Sequence, residues 1–247
     1  MTTKGQKVFC AALAMFLGLS AAACVFRIVS VNSVAVAASP ASRKTVIIDP
    51  GHGGLDGGAV GYRSTVEKDI NLAISLKLKT MLTACGYDVL MTRETDCMIG
   101  EDEVGEKASI REKKVKDIKS RVAMIQKHPE AIVLSIHQNL FSDGRYNGAQ
   151  MFYSVKNEDS RILASFLQNR FAAMLQKDNT RSIKEAGDNI YLMNHIDVPA
   201  VLVECGFISN GLEAANLSDD EYQNKIAFVI FAALTDYFEK DMLSENA

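Results

Sequence analysis

The chain has 247 residues, of which 48% are hydrophobic, and this length is enough for one or two domains with an extensive core. The first forty residues carry only basic charges, whereas the remainder holds 24 lysines and arginines against 30 aspartates and glutamates. A net charge of −6 on the body of the protein argues against nucleic acid as a partner, because phosphate backbones bind to basic surfaces.

The cysteines do not suggest a disulfide framework. None of the five belongs to a CxxC spacing, and two lie in the first forty residues, which leaves an odd number in the body. They are Cys10, Cys24, Cys85, Cys97 and Cys205.

An apolar segment near the N-terminus predicts export. Lys4 and Lys7 precede residues 8–26, which contain no charged side chain and are about as long as a bilayer core requires. Positive charge before such a segment places the following chain outside the cytoplasm. Two fates remain open, namely cleavage at the Ala-Val-Ala of 35–37 or retention as a membrane anchor. We therefore predict that residues 1–42 are an export signal or anchor with a linker.

The body begins with a strand that ends in a glycine-rich turn. The apolar residues 46–48 are followed by an Asp-Pro pair and then by glycines, which is typical of a strand that delivers its next residues to a sheet edge. His52 lies between Gly51 and Gly53, where side chains that would crowd a ligand are missing. We predict that His52 faces a cleft, and a merely solvated histidine is the alternative.

A helix with an acidic first turn follows. Ser64 or Thr65 is predicted to cap a helix that begins at Val66, carries apolar residues at helical spacing and ends near residue 85. Glu67 lies in the first turn, where the helix dipole by itself also favours a carboxylate.

The rest of the chain alternates between apolar runs and amphipathic segments. We predict strands over 87–92, 131–136, 150–155, 190–193 and 200–203, helices over 109–127, 160–176 and 221–238, and polar loops over 94–106 and 178–187. His137 follows one of these strands, although a lone histidine there is more often a satisfied core residue. Glu204 follows another, and a buried carboxylate must be paired or bound to metal.

This alternation predicts a single α/β domain over residues 43–247, with three α/β/α layers around a mostly parallel sheet of about six strands. Ligands of such sheets gather beyond the carboxyl ends of the strands. We therefore expect His52, His137 and Glu204 to meet there, beside Glu67. Two imidazoles and one carboxylate are the ligand set of a catalytic zinc ion, and a second carboxylate can move the proton of its water. The residues leave open which glutamate is the ligand and which bond is cut.

Four segments of the chain resemble one family. DPGHGG at 49–54, EKDINLAISLKL at 67–78, SIHQN at 135–139 and VPAVLVECGFISN at 198–210 are similar to the zinc-dependent N-acetylmuramoyl-L-alanine amidases, in the same order. The resemblance implies that His52, Glu67 and His137 bind Zn²⁺ and that Glu204 is the catalytic carboxylate. It also implies hydrolysis of the amide bond between N-acetylmuramic acid and L-alanine in peptidoglycan, with Glu204 acting first as base and then as acid.

A narrower resemblance concerns a subgroup. The segment DNIYLM at 188–193 and the lack of wall-binding repeats are similar to the CwlD-type amidases of spore-forming bacteria. This implies removal of stem peptides from spore-cortex peptidoglycan before muramic δ-lactam formation. Some relatives carry an internal helix that plugs the site, but predicted elements fill the segment between His137 and Glu204. Control by an extracytoplasmic activator protein is therefore a hypothesis, and a membrane is involved only through the N-terminal segment.

Several residues are weaker candidates for substrate contacts. Arg93 and Arg121 can bind a stem-peptide carboxylate through a bidentate fork, although a solvated or ion-paired arginine fits the sequence equally well. Asn139 is expected to line the groove that binds the substrate. Gln138 is next to the predicted metal ligand His137, and it can therefore alter substrate contacts. His195, in a predicted loop, either helps at the site or is exposed.

Other functions are consistent with parts of this pattern. One is a different zinc amidohydrolase or peptidase with the same fold, and another is a catalytically silent wall-binding scaffold. The complete set of two histidines and two glutamates argues against a silent protein. A cysteine hydrolase based on Cys205 is weaker still, because this residue would point away from Glu204 on a strand and Glu67 would have no role.

Overall fold

One six-stranded sheet runs through the protein. The computed structural model describes residues 44–105 and 107–245, so the predicted export segment lies outside the described residues. The strands are β1 (Thr45–Pro50), β2 (Asp88–Met91), β3 (Ile132–Asn139), β4 (Gln150–Tyr153), β5 (Lys184–Glu185) and β6 (Ala200–Phe207). Their order is β2-β1-β3-β6-β4-β5, with β4 antiparallel to β6 and all other neighbours parallel. The predicted α/β fold with a mostly parallel sheet is confirmed.

Helices cover both faces of this sheet. They are α1 (Glu67–Ala84), α2 (Ile110–Ile125), α3 (Asp159–Arg170), α4 (Tyr191–Asn194), α5 (Gly211–Leu217) and α6 (Asp220–Glu245), with 3-10 turns at Tyr62–Ser64 and Glu101–Glu103 and a π turn at Phe171–Leu175. α1, α3 and α6 pack on one face, and α2 and α4 contribute to the core on the other. In α1, apolar residues recur every four positions and are buried, as at Ile70, Ile74 and Leu78. Among the described residues, no helix combines the length and apolar character needed to cross a bilayer.

The predicted strand over 190–193 is wrong. These residues belong largely to α4, whose Leu192 and Met193 are buried against the second face of the sheet. A short apolar run can be a strand or a helix, and its pattern alone does not distinguish them. The sixth strand of the sheet is β5, which lies within the segment 178–187 that the sequence predicts as a polar loop. β5 consists of two exposed residues, so it has no apolar alternation that a pattern could detect.

The predicted cap of α1 is also wrong. α1 begins at Glu67 with Val66 as its N-cap residue, and no side chain caps it. Ser64 instead has a left-handed backbone with φ of 61° in the preceding 3-10 turn. The N–H of Glu67 donates to the carbonyl of Ala59 at 3.0 Å, so the glycine-rich turn itself is fastened to the start of the helix.

The strand register brings the predicted site residues to one edge of the sheet. Gly51, directly after β1, donates its N–H to the carbonyl of Ile136 in β3 at 3.0 Å. His137 of β3 is paired with Glu204 of β6. The carboxyl ends of β1, β3 and β6 therefore meet where parallel sheets place their ligands.

Candidate metal centre

A strained turn after β1 carries His52, and two buried arginines hold it. His52 has a left-handed backbone with φ of 63°, which costs free energy in a residue with a β-carbon. Arg93 donates to the carbonyls of Pro50 and Gly51 at 3.0 and 2.9 Å. Arg121 donates to the carbonyls of Pro50 and His52 at 2.8 and 2.7 Å. The turn is thus fixed through consecutive backbone carbonyls.

The charge of Arg121 is balanced beneath this turn. Its guanidinium group lies 2.7 Å from Asp49 and 2.7 Å from Asp117. Asp49 also accepts hydrogen bonds from Thr92 and Ser135 at 2.6 and 2.7 Å. Burial by itself raises the pKa of Asp49, but Arg121 and the two hydroxyl groups outweigh burial and lower that pKa to about 2. The carboxylate therefore stays charged and anchors the arginine.

This environment corrects the prediction that Arg93 or Arg121 binds a stem-peptide carboxylate. The two residues are only 3% and 1% exposed. Arg121 directs its Nε and both Nη atoms at carboxylates and carbonyls inside the protein. Arg93 likewise donates to backbone carbonyls, including those of Lys68 and Thr95. Acceptors of the protein itself occupy both forks, so both arginines have a structural role.

His52, Glu67 and His137 come together at the carboxyl edge. His52 Nε2 lies 3.2 Å from Glu67 Oε2, and His137 Nδ1 lies 2.9 Å from Glu67 Oε1. Potential ligand atoms of the three residues all lie within 4.8 Å of one another. The imidazole rings are 5.0 Å apart, with an angle of 77° between their planes. Two imidazoles and one carboxylate match the donor set of a catalytic zinc site, which keeps a fourth position for water.

Asp56 orients the ring of His52. His52 Nδ1 lies 2.9 Å from Asp56 Oδ2, and Lys114 Nζ lies 2.6 Å from the other oxygen of Asp56. Burial alone lowers the pKa of His52, but Asp56 and Glu67 outweigh burial and raise that pKa to about 9. A divalent cation bound to Nε2 can replace the proton there, while Nδ1–H still donates to Asp56. The donor set therefore fits a metal ion.

Asp56 is a residue of the centre that the sequence motifs did not indicate. The residue is four positions after His52 and within the same glycine-rich turn, where it also accepts the N–H of Gly58 at 3.1 Å. A carboxylate that follows a histidine inside such a turn is a signal that could have identified it.

Two glycines leave room for the candidate ligands. A β-carbon on Gly51 would lie 2.2 Å from Cε1 of His137. One on Gly58 would lie 2.6 Å from both Glu67 Oε2 and His52 Cδ2. Carbon atoms in contact are normally about 3.5–4.0 Å apart, so the side chains can occupy these positions only because both residues lack a β-carbon.

Hydrogen bonds fix the carboxylate of Glu67. Oε2 accepts the backbone N–H of Ala59 at 2.8 Å, and Oε1 accepts that of Gln138 at 3.1 Å. The Gln138 side chain is buried and donates to Asn71 Oδ1 at 3.1 Å, so it supports the ligand cluster and does not contact substrate. Burial raises the pKa of Glu67, but the two histidines outweigh burial and hold that pKa far below its usual range.

Glu204 lies beside this cluster. Its backbone is paired with that of His137, and its Oε2 atom is buried without a hydrogen-bond partner among the described residues. Burial and the nearby carboxylate of Glu67 raise the pKa of Glu204 to about 7, against the opposing effect of His137 and His52. A carboxyl group that gains and loses a proton near neutral pH suits general acid–base catalysis.

The centre opens into a cavity of about 400 Å³ on the face of the sheet that α2 and α4 cover. Asp49, His137 and Leu202 belong to its floor, and Lys114 and Tyr191 belong to its walls. The volume lies within the usual range of ligand pockets, so part of a polymeric substrate fits there.

The remaining candidates are not among the three converging ligand residues. Asn139 is at the end of β3, where it is partly exposed and paired with Phe207. His195 is exposed and stacks on Tyr191, with 3.7 Å between the ring centres. Cys205 is buried, and burial raises the pKa of its thiol well above the usual range. A thiol of this kind is a poor nucleophile, which argues against the cysteine hydrolase.

The chain is similar in sequence and structure to known amidases. Residues 46–236 match the Amidase_3 family, described as N-acetylmuramoyl-L-alanine amidase. The germination-specific N-acetylmuramoyl-L-alanine amidase of Bacillus subtilis (strain 168) is 36% identical over 199 residues, which cover 81% of this chain and 81% of that protein. The structure of the CwlD amidase from Clostridioides difficile in complex with the GerS lipoprotein matches with a TM-score of 0.75 and 38% identity, covering 80% of this chain and 99% of that chain. The catalytic domain of the amidase CwlV from Bacillus (Paenibacillus) polymyxa matches with a TM-score of 0.66 and 30% identity, covering 79% of this chain and 98% of that chain.

Proposed function

Because this chain belongs to the N-acetylmuramoyl-L-alanine amidase family, we propose that it works with a zinc ion bound by His52, Glu67 and His137. The chain is an amidase that cleaves the bond between N-acetylmuramic acid and L-alanine in peptidoglycan. One observation carries the zinc proposal: the donor atoms of the three residues converge within 4.8 Å. The Oε2 atom of Glu204 beside them is buried and has no hydrogen-bond partner in the part of the chain that the structure describes, which supports a separate role for this second carboxylate.

Each side chain of the centre has a chemical task. A bound zinc ion supplies a Lewis acid for the scissile carbonyl and lowers the pKa of water. Glu204 accepts a proton from the attacking water and delivers it to the alanine nitrogen when the carbon–nitrogen bond breaks. Burial raises the pKa of Glu204 to about 7 before a metal ion is bound. Asp56 keeps a proton on Nδ1 of His52, so that Nε2 presents its lone pair to the metal.

Zinc affinity in the presence of a competing chelator tests the ligand set. We expect His137→Ala to weaken zinc binding by on the order of a hundredfold or more, because a first ligand contributes more than the ten- to hundredfold typical of its supporting partners. His195→Ala is the matched control, because His195 is an exposed histidine outside the cluster. Equal zinc affinity of the two variants would overturn the assignment.

We also propose that the substrate is spore-cortex peptidoglycan, from which the enzyme removes stem peptides before muramic δ-lactam forms. The name of the Bacillus subtilis relative, a germination-specific amidase, supports this role. Deletion of the gene followed by mass spectrometry of cortex fragments tests it. We expect muramic δ-lactam to disappear from the cortex, and an unchanged content would contradict the proposal.

The location of the enzyme and a protein partner complete this proposal. We propose that residues 1–42 export or anchor the enzyme and that a lipoprotein outside the cytoplasm binds it. Support for the partner comes from the Clostridioides difficile relative, whose structure contains a lipoprotein. N-terminal sequencing of the protein isolated from spores distinguishes cleavage from retention. Full activity of the purified chain without any partner would argue against activation by a lipoprotein.

A further inference from the structure

A row of paired residues crosses the sheet from the metal centre toward β4. His137 is paired with Glu204, and Glu204 is paired with Gln150 at the start of β4. Residues that are paired across neighbouring strands project from the same face of a sheet. Gln150 therefore lies next to Glu204, on the side opposite to His137.

Gln150 connects this row to Arg181. Gln150 is 3% exposed, and its Oε1 lies 3.4 Å from Nη1 of Arg181. Its Nε2 donates to the carbonyl of Ser182 at 2.8 Å, so the amide is held in one orientation. Adjacent strands are about 4.8 Å apart, which places this part of β4 about 10 Å from β3. An extended peptide covers that distance in about three residues.

Contacts on its other sides hold the guanidinium group of Arg181 in place. Nε donates to the carbonyl of Asn147 at 2.8 Å. The guanidinium carbon lies 4.6 Å from the ring centre of Phe207 and 5.6 Å from that of Tyr146. Within the described part of the chain, Nη2 makes no hydrogen bond. A planar cation is thus positioned by aromatic contacts while one edge stays available to a ligand.

The charge of Arg181 is not paired with any acid in the described ranges. Among the described residues, no carboxylate oxygen lies within 4.0 Å of its nitrogens. Glu213 is near enough to interact electrostatically, but its two oxygens accept the backbone N–H groups of Gly148 and Phe207 at 3.0 and 2.7 Å. Arg93 and Arg121, in contrast, have all their acceptors inside the protein.

Arg181 lines an open cavity of about 530 Å³. Asp143, residues 145–147 and residues 178–180 form the rest of its wall. Arg145 is 90% exposed and is paired with Asp143 at 2.7 Å, so these two charges neutralise each other. Asp178 is an exposed acid in the same wall, and it opposes the binding of an anion.

Resting on the amidase function proposed above, we propose that Arg181 binds a free carboxylate on the second or third residue of the stem peptide. A guanidinium fork and a carboxylate form parallel hydrogen bonds, and two aromatic rings hold the fork of Arg181 in place. The site positions the peptide, whereas cleavage takes place at the metal centre. Arg181 thereby takes the role that the sequence suggested for Arg93 or Arg121.

The test compares two substrates in the full-length protein. One is an N-acetylmuramoyl peptide with free carboxylates on its second and third residues, and the other is the same peptide with both converted to carboxamides. We expect wild type to favour the carboxylate form about ten- to a hundredfold in kcat/KM, chiefly through KM. Arg181→Gln should cleave both peptides with the same kcat/KM, equal to that of wild type on the carboxamide peptide. Arg161→Gln, which removes an exposed charge on α3 outside this cavity, should keep the wild-type preference.

Equilibrium binding separates this proposal from that of the zinc amidase. Both peptides are titrated into Glu204→Gln with and without Arg181→Gln, so that no turnover is needed. If the protein binds the carboxylate peptide more tightly but wild type cleaves neither peptide, the zinc mechanism is contradicted and the Arg181 site is not. Equal binding of the two peptides to Glu204→Gln, or a preference that survives Arg181→Gln, would overturn the Arg181 site.

Two further variants keep the test decisive if Arg181→Gln does not fold. Arg181→Lys retains the charge but loses the planar fork, and we expect it to lose most of the preference. Asp178→Asn should strengthen the preference by about twofold, because it removes a repulsive charge at the exposed wall. A weaker preference in Asp178→Asn, or an unchanged one in Arg181→Lys, would contradict the proposal.

Discussion

The arginines beneath the His52 turn and the arginine beside β4 differ in what surrounds them. Arg93 and Arg121 are 3% and 1% exposed, and their guanidinium groups donate to backbone carbonyls and buried carboxylates. Arg181 is partly exposed, is stacked on aromatic rings and keeps one edge without an acceptor within the described residues. The same side chain is therefore part of the scaffold in one region and a candidate ligand-binding group in the other. The number of internal acceptors decides between these roles.

The two regions should also respond differently to substitution. Under the turn, each guanidinium group has its acceptors inside the protein, so a truncation leaves buried polar groups without a partner. Beside β4, the proposed partner of Arg181 is a ligand and not a group of the protein. Substitution of Arg181 should therefore change substrate preference more than it changes folding stability.

Removal of Arg121 should destabilise the fold most. Arg121→Met leaves Asp49 and Asp117 without their cation, and breaking a buried ion pair in this way costs about 3–5 kcal/mol. Urea unfolding of the metal-free protein measures the loss. Arg145→Met is the matched control, because its side chain is 90% exposed, and we expect a change below about 0.5 kcal/mol. A loss below about 1 kcal/mol for Arg121→Met would contradict the structural role.

A β-carbon at Gly51 should disturb the metal centre next. Gly51→Ala places an atom 2.2 Å from the ring of His137, so the ring has to move. We expect zinc affinity to fall by on the order of a hundredfold, as measured by chelator competition. Gly105→Ala meets no atom within 4 Å and should leave the affinity unchanged. Unchanged affinity in Gly51→Ala would mean that His137 does not bind the metal in this orientation.

Acid should expose the contribution of Asp49. Its pKa is about 2 in the folded protein, below the value of about 3.9 for an unperturbed aspartate, so the stabilisation is present above about pH 4 and is lost as pH falls toward 2. A shift of this size corresponds to about 2.6 kcal/mol in total, part of which is lost only below pH 2. Between pH 5 and pH 2, wild type should therefore lose about 2 kcal/mol more unfolding free energy than Asp49→Asn. Parallel pH profiles of the two proteins would exclude this contribution.

Replacement of Asp56 should have the smallest of these effects. Asp56→Asn keeps an acceptor near Nδ1 of His52 but removes the charge that holds the ring, and we expect zinc affinity to fall by about tenfold. Isothermal titration with zinc measures it, with Asp102→Asn at an exposed position as the control. An affinity equal to that of the control would show that Asp56 does not orient the ligand.

Much of the centre could be predicted from the sequence, because its strands are buried on both faces. The cores of β1, β3 and β6 read as continuous apolar runs, and each leads to a polar residue at its carboxyl end. Parallel pairing then places His52, His137 and Glu204 at one edge. Glu67 follows from the helix start, although a carboxylate there has a second explanation in the helix dipole.

The remaining features depend on tertiary contacts that no local pattern contains. α4 and β5 are too short for their periodicity to distinguish helix from strand. The burial of Arg93 and Arg121 depends on carbonyls contributed by the His52 turn and on acids from β1 and α2. Arg181 lies in a segment that reads as a polar loop, and only the fold places it near Gln150 and Glu204.

Activity of zinc-loaded wild type and of zinc-loaded Glu204→Gln on peptidoglycan tests the roles of the metal centre and of Glu204. Wild type should release stem peptides with a new N-terminal alanine, which mass spectrometry detects together with the denuded glycan. Glu204→Gln should retain its zinc and cleave about a hundred- to ten-thousandfold more slowly, because the proton acceptor is lost while the ligands remain. Full activity of this variant, or full activity of wild type after complete removal of zinc, would contradict the account.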